Sequence, residues 1–225
     1  MNPVNYQKEM EKILADHEKK EEVPSLFLHS CCAPCSSYVL EYLSRYFCIT
    51  VFFYNPNIAP LEEYRSRAEE IMRFTQEIPA VYPITFIEGK YDPEHYYEAV
   101  RGLEREPERG KRCEVCFRLR LSESLKAAER LHMDYMTTTL TISPLKNAPL
   151  LNAIGEEMTG NSSVRWLPSD FKKKNGYQRS IELSDLYGLY RQDYCGCVFS
   201  KKQREDEKKA AQTAEKRGED EEKNS

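Results

Sequence analysis

The sequence has no apolar run long enough to cross a membrane. Its longest, such as residues 48–54 (CITVFFY), are strand-sized, far short of the roughly 18 residues a spanning helix needs. It has no basic-then-apolar leader, since the chain opens MNPVNYQKEMEK, so an export signal is not expected. It also lacks a positive balance. Lys and Arg number 33 against 37 Asp and Glu, a formal charge of −4. That excludes a protein held to nucleic acid by bulk charge, though not one with a local basic face. No internal repeat is present. The expectation is a soluble, cytoplasmic protein with no membrane partner. Its 225 residues, 40% of them hydrophobic, suffice for a proper core.

Cysteine, by contrast, is plentiful. The eight cysteines fall as Cys31, Cys32 and Cys35; Cys113 and Cys116; Cys195 and Cys197; and Cys48 alone. Without an export signal a disulfide framework is the weaker reading. Three tight clusters separated by long structured stretches point instead to loops converging on one metal centre. Zinc commonly takes four thiolates from two C-x-x-C knuckles, so one zinc ion would leave ligands over. An iron–sulfur cluster uses up to four cysteines, and a further metal ion could take the remaining three. A redox pair at Cys113 and Cys116 would leave the other clusters unexplained. Cys48 opens a hydrophobic stretch and reads as a buried, inert thiol.

Residues 1–22 carry Tyr6, Met10, Ile13, Leu14 and His17 at helical spacing, a peripheral helix. Residues 201–225 hold eight basic and eight acidic side chains and no aliphatic residue larger than alanine. They read as a solvated helix or a disordered tail, so ending the chain after Ser200 should leave activity nearly intact. Between them, residues 23–200 form the catalytic α/β domain. Strands are expected at 25–29, 48–54, 83–87, 135–140 and 164–167. Helices are expected at 36–47, from 61, at 94–103 and 114–131, from 148, and at 181–190. Such alternation implies a parallel sheet with helices on both faces and a cysteine-rich metal site at the strand carboxyl ends. The loop at 31–35 opens a helix whose N-terminus favours thiolates, and Gly196 lets both sulfurs of Cys195 and Cys197 face one side.

An ordered set of motifs runs through the core: HSCCAPCSS at 29–37, FYNPNIAPLEEYRSR at 53–67, RCEVCFRLRL at 112–121, TTTLTISPLKN at 137–147, SDFKKKNGYQRSIELS at 169–184 and LYRQDYCGC at 189–197. This set resembles the cobalamin-independent epoxyqueuosine reductase family. The resemblance implies a Rossmann-like sheet of the HUP, or nucleotide-alpha-hydrolase, type. It also implies the last step of queuosine synthesis, in which the epoxide of epoxyqueuosine at the tRNA wobble position is reduced to an alkene with loss of water. Related ATP-pyrophosphatases carry S-G-G-x-D-S after the first strand. Here HSCCAPCSS stands in that place without the glycines, so the loop reads as converted from phosphate to metal binding. A [4Fe–4S] cluster next to a second, mononuclear iron is implied, on Cys31, Cys32, Cys113, Cys116, Cys195 and Cys197. Cys35 stands where some family members carry an acidic residue, and is a ligand candidate for the second metal. The division of sulfurs between the two metals stays open at this point.

The reaction consumes two electrons and two protons, so an external electron donor is implied. Tyr194, Asp193 and His29 border the cysteine loops and are the candidate proton donors. The implied partner is tRNA with a queuosine-type GUN anticodon, whose loop proteins read by splayed bases, stacking and phosphate contacts. Two segments are locally basic. Residues 101–120, with Arg112 and Arg118, hold seven basic residues against four acidic, and 165–191 hold six against three. RNA contact is expected from Lys172, Lys173, Lys174 and Arg179. Two alternatives stand beside this reading: a tRNA sulfur-transfer enzyme of the same fold, and a zinc-stabilised RNA-binding module without catalysis.

Overall fold

A computed structural model describes residues 4–223, with side chains of the last helix as far as Thr213. Five strands form one parallel sheet: β1 (Ser25–Ser30), β2 (Cys48–Phe53), β3 (Ile84–Glu88), β4 (Tyr135–Thr138) and β5 (Arg165–Trp166), in the order β3-β2-β1-β4-β5. Leu26 of β1 stands opposite Ile49 on one side and Tyr135 on the other, which fixes the central register. Eight helices complete the described chain: α1 (Tyr6–Lys20), α2 (Ala33–Leu43), α3 (Leu61–Glu77), α4 (Pro93–Ala99), α5 (Lys111–Arg130), α6 (Ala148–Thr159), α7 (Gly176–Leu186) and α8 (Val198–Lys223).

Strand side chains alternate between faces, and both faces here are covered. Leu26, Leu28, Ile49, Val51 and Phe53 pack with Met10 and Leu14 of α1, Val39 and Leu43 of α2 and Ile71 and Phe74 of α3. Phe27, Phe52 and Met136 pack on the other side with Phe117 and Leu121 of α5 and Leu151 and Ile154 of α6. Burial on both faces explains the near-continuous apolar character of β1 and β2. Among the described residues no helix is long and apolar enough to cross a membrane.

Helix bounds shift by a few residues from the sequence expectation, α2 to Ala33–Leu43 and the end of α4 to Ala99, and two differences bear on the site. The fourth strand stops at Thr138, whose Oγ1 accepts from Leu140 N at 3.2 Å, and Thr139–Ile142 turn into a single 3-10 turn. The last core helix starts at Gly176 rather than 181. Lys174 and Asn175 precede it with φ of 51° and 62°. A Cβ on Gly176 would stand 2.0 Å from the Phe171 carbonyl oxygen and 2.4 Å from the Tyr38 ring. Only glycine lets α7 begin so close to α2.

Strand order reverses between β1 and β4, so the chain leaving each diverges and opens a crevice at the carboxyl edge, where open α/β sheets bind their ligands. Cys48 lies at the opposite edge, at the head of β2, half-buried.

Candidate metal centre

Cys31 and Cys32 leave the end of β1, and Cys35 sits in the first turn of α2, started by Pro34. Pro suits that position because no N–H is needed there. Two serines pin the turn: Ser30 and Ser36 hydroxyls meet at 2.6 Å, and Ser36 Oγ donates to the Cys32 carbonyl at 2.8 Å. The sulfurs of Cys31, Cys32 and Cys35 all lie within 4.8 Å of one another. Metal–sulfur bonds of about 2.3 Å in tetrahedral geometry put two sulfurs about 3.8 Å apart, and the Cys31 and Cys32 sulfurs stand 3.7 Å apart, so the triad is placed to converge on a single ion. The Cys31 thiol is held well below its ordinary range because Cys32 and then Cys35 donate to its sulfur. Their own thiols are pushed up by the same sharing.

The other four clustered cysteines come from distant segments. Cys113 and Cys116 occupy the first turns of α5, and Cys195 and Cys197 flank the turn that launches α8. Gly196 in that turn has φ 105°, and a Cβ on it would meet Ile58 at 2.9 Å and Arg67 at 3.0 Å. Its carbonyl accepts from Ala59 N at 3.0 Å, which docks the turn on the loop after β2. Cys113, Cys116, Cys195 and Cys197 line one small apolar pocket with Asn57, Tyr96 and Phe117. Among the described residues no other three metal-ligating groups approach as closely as the triad. No three of these four sulfurs come as close together as those of the triad. Burial pushes the Cys116 thiol up to about 12 and raises Cys113 and Cys197.

Arg120 stands between the two groups. It is 1% exposed, donates from Nε to His29 Nε2 at 3.3 Å, and reaches Asn55 Oδ1 through Nη2. Its Nη1 has no partner among the described residues. Burial opposes its charge, but Cys116, Cys195 and Cys31 lie near enough to hold it protonated. An unspent buried donor among thiolates fits an anionic metal centre. Arg120 follows Cys113 and Cys116 at helical spacing, a signal present in RCEVCFRLRL.

A cleft of about 550 Å³ opens over these groups. Its walls include Cys31, Cys32, Cys35, Cys195, Arg67, Lys146, Tyr177, Arg191, Asp193 and Tyr194. Lys146, only 7% exposed, pairs with Glu108 at 2.9 Å. Burial works against its ammonium, yet Cys195 and Glu108 outweigh burial and hold it protonated.

The candidate proton donors separate. Tyr194 and Asp193 line the cleft; Arg67 stacks over the Tyr194 ring at 5.4 Å, and Asp193 pairs with Lys208 at 2.5 Å. His29 is fully buried and outside the cleft lining, with Nδ1 2.8 Å from Thr138 Oγ1. Burial and then Arg120 depress it to about 3, so it is neutral and has no proton to spare near neutrality.

The basic candidates separate too. Arg112 is 2% exposed and spends Nη1 on the carbonyls of Leu103, Glu104 and Glu106. It braces the segment before α5 and is not free for RNA, a correction to the sequence expectation. Arg118 pairs with Glu114 and Glu157, Lys174 with Glu11, and Arg179 with Glu41 and Glu182. Lys172 pairs with Asp170 at 2.6 Å and donates to the Thr141 carbonyl beside the cleft. Lys173 is exposed, with no acidic partner among the described residues. Sequence reasoning missed Arg67, Glu108, Lys146 and Arg191, because which charges face the cleft is decided by packing.

The family model described as epoxyqueuosine reductase QueH matches residues 26–203. The epoxyqueuosine reductase QueH of Streptococcus pyogenes serotype M1 is 45% identical over 207 residues, covering 90% of this chain and 81% of the relative. That of Staphylococcus epidermidis is 43% identical over 201 residues, 88% and 84% of the two chains. That of Thermotoga maritima is 34% identical over 200 residues, 86% and 98%. With a match over most of the chain, spanning every clustered cysteine, this oxidoreductase belongs to the QueH epoxyqueuosine reductase family.

Proposed function

We propose that the protein reduces the epoxide of epoxyqueuosine in tRNA to the alkene of queuosine, in the cytoplasm, on a HUP-type sheet. The reading rests on one observation: the cysteine triad and Cys195 of the quartet line the same cleft. Cys113, Cys116, Cys195 and Cys197 would hold a [4Fe–4S] cluster, and Cys31, Cys32 and Cys35 the second iron. When bound, these groups would supply single electrons and a Lewis acid for the epoxide oxygen.

The chain's own residues do the rest. The cleft, at about 550 Å³, falls within the range of small-molecule sites and suits a nucleoside-sized group. Arg191 over Tyr177 at 5.6 Å presents a flat cationic surface on which a splayed base can stack, and buried Arg67 braces the Tyr194 ring from behind. The buried Lys146–Glu108 pair holds a fixed cation in the wall, where negative charge develops as the C–O bonds break. Tyr194 is the proton donor we favour, because its hydroxyl carries a proton at neutral pH and its ring lines the cleft. Asp193, held as a carboxylate by Lys208, is suited to accept and relay a proton. Lys172 and Lys173 extend the basic edge beside the 139–142 turn and would meet phosphates. The anticodon class is GUN, and the electrons come from an external donor.

The test is anaerobic purification followed by iron and sulfide determination and turnover of epoxyqueuosine-containing tRNA with a chemical reductant. The expected result is about five irons and four sulfides per chain, with conversion to queuosine. A colourless zinc protein without turnover would overturn the reading.

A further inference from the structure

We infer that α8, the helix launched by the last cysteine pair, forms a wall of the cleft that grips the phosphate backbone of the RNA substrate. This rests on the function proposed above. Arg204, Glu207, Lys208 and Ala211 line the same cleft as the cysteine triad. Their spacing of three, four and seven is that of one helix face. The sequence alone assigned residues 201–225 no share in the site; the fold lays their first turns against it.

Apolar burial does not account for this placement. From Lys201 to Thr213 no side chain is buried. Polar clips hold the helix instead: Arg204 Nε donates to the Asp193 carbonyl at 3.0 Å, Lys208 pairs with the Asp193 carboxylate at 2.5 Å, and Glu108 N donates to Gln203 Oε1 at 3.0 Å. Lys208 and Asp193 are 66% and 56% exposed. Such exposed pairs contribute little, so a phosphate can take the cation over. The cleft lining carries five basic side chains (Arg67, Lys146, Arg191, Arg204, Lys208) against three acidic ones, in a chain whose net charge is −4. Two of those cations come from α8, and both lie beyond residue 203, where the family match ends. A solvated helix face that carries Arg204, paired at 2.7 Å with the 47%-exposed Glu207, and Lys208 beside a nucleoside-sized cleft matches the backbone of a single-stranded loop.

The test measures binding of a GUN-anticodon tRNA transcript to anaerobically purified holoenzyme across a salt series. The Arg204→Ala/Lys208→Ala double variant should bind about five-fold or more weakly near 0.1 M salt. Its slope of log K against log salt should shrink by about 1.4, from two single-strand phosphate contacts. Iron, sulfide and visible spectrum should stay at wild-type values. Lys202→Ala/Lys209→Ala removes the same charge from the opposite helix face and should bind like wild type. Unchanged affinity and slope in the first double variant, or an equal loss in the second, overturns the proposal. So does a loss of turnover confined to a protein electron donor, with tRNA binding intact, which would make α8 the donor's docking face. A wild-type holoenzyme that binds no tRNA overturns the proposal together with the function it rests on.

Discussion

The two cysteine groups are built on opposite principles. The triad is local: three sulfurs within five residues, set by one strand-to-helix turn and two serine hydrogen bonds. The quartet is assembled over a distance, its halves some 80 residues apart in the chain and joined by the docking of the Gly196 turn on the loop after β2. Electrostatics separate them as well. Hydrogen bonds from its neighbours lower the Cys31 thiol, whereas burial raises Cys113, Cys116 and Cys197. Metal binding requires thiolates, so burial opposes loading at Cys113, Cys116 and Cys197, while hydrogen bonds to Cys31 favour it in the triad. A local site can take its ion as soon as β1 and α2 form; the distributed site waits for the whole domain.

The largest effect should follow from breaking the quartet. Cys116→Ala, and equally Cys113→Ala, should lose most of the iron and all measurable turnover. Cys48→Ala, at the far edge of the sheet, should keep both. Iron and sulfide counts on anaerobically purified protein decide it, and wild-type iron in Cys113→Ala would remove the ligand assignment. The triad should break separately. In Cys35→Ala we expect one iron fewer per chain with sulfide unchanged, and turnover down by at least about 10²-fold, the upper range for disturbing a ligand's supporting partners. Cys35→Asp supplies an oxygen ligand of the kind the family resemblance admits, and should recover iron and part of the rate. Sulfide falling with iron in Cys35→Ala would mean the two groups are one site.

What was legible in the sequence follows the same division. The strands, their alternation with helices and the local triad could be read from apolar patterning and cysteine spacing, because those signals are short-range. That the clusters converge on one centre could also be inferred from their tight spacing, but which of them group together could not, since no local rule says which loops share an edge. Charges were read least well. Arg112 and Arg120 are eight residues apart in one basic segment, yet one braces backbone carbonyls and the other joins two cysteine groups. The start of α7 was missed because left-handed residues at 174 and 175 and a glycine wedged against Tyr38 made a helix start without a capping side chain. The role of α8 was missed because it buries nothing apolar.

Arg120 tests whether the groups are coupled. Arg120→Met removes a buried cation from His29 and Asn55 and leaves thiolates without a counter-charge. We expect a stability loss of about 3 kcal/mol, as for other broken buried pairs, and lower iron occupancy in both groups at once. Urea unfolding of anaerobic protein with parallel metal analysis measures both. Iron lost from only one group would show that Arg120 serves that group alone and that the two load independently.

The smallest effect lies at the amino edge of the sheet, away from both groups. Asp134, ahead of β4, accepts from Ser25 N at 2.8 Å and Ser25 Oγ at 2.7 Å, and its own N–H donates back to that oxygen at 2.9 Å. Partial burial works against its charge, but the Ser25 donors outweigh it and hold the carboxyl below its ordinary value. A carboxyl depressed in the folded state stabilises the fold at pH values above the unfolded pKa of about 3.9, and that contribution disappears as pH falls through the lower folded value. The carboxylate is largely exposed, so its hydrogen bonds contribute only about 1 kcal/mol. Asp134→Asn should therefore be about 1 kcal/mol less stable than wild type at pH 7, and the gap should close as pH falls below the unfolded value and through the lower folded one. Iron and sulfide should match wild type throughout. Paired urea titrations across that range measure the gap. A gap that stays constant with pH would assign the effect to shape rather than charge, and a loss of iron would show that this edge communicates with the metal groups after all.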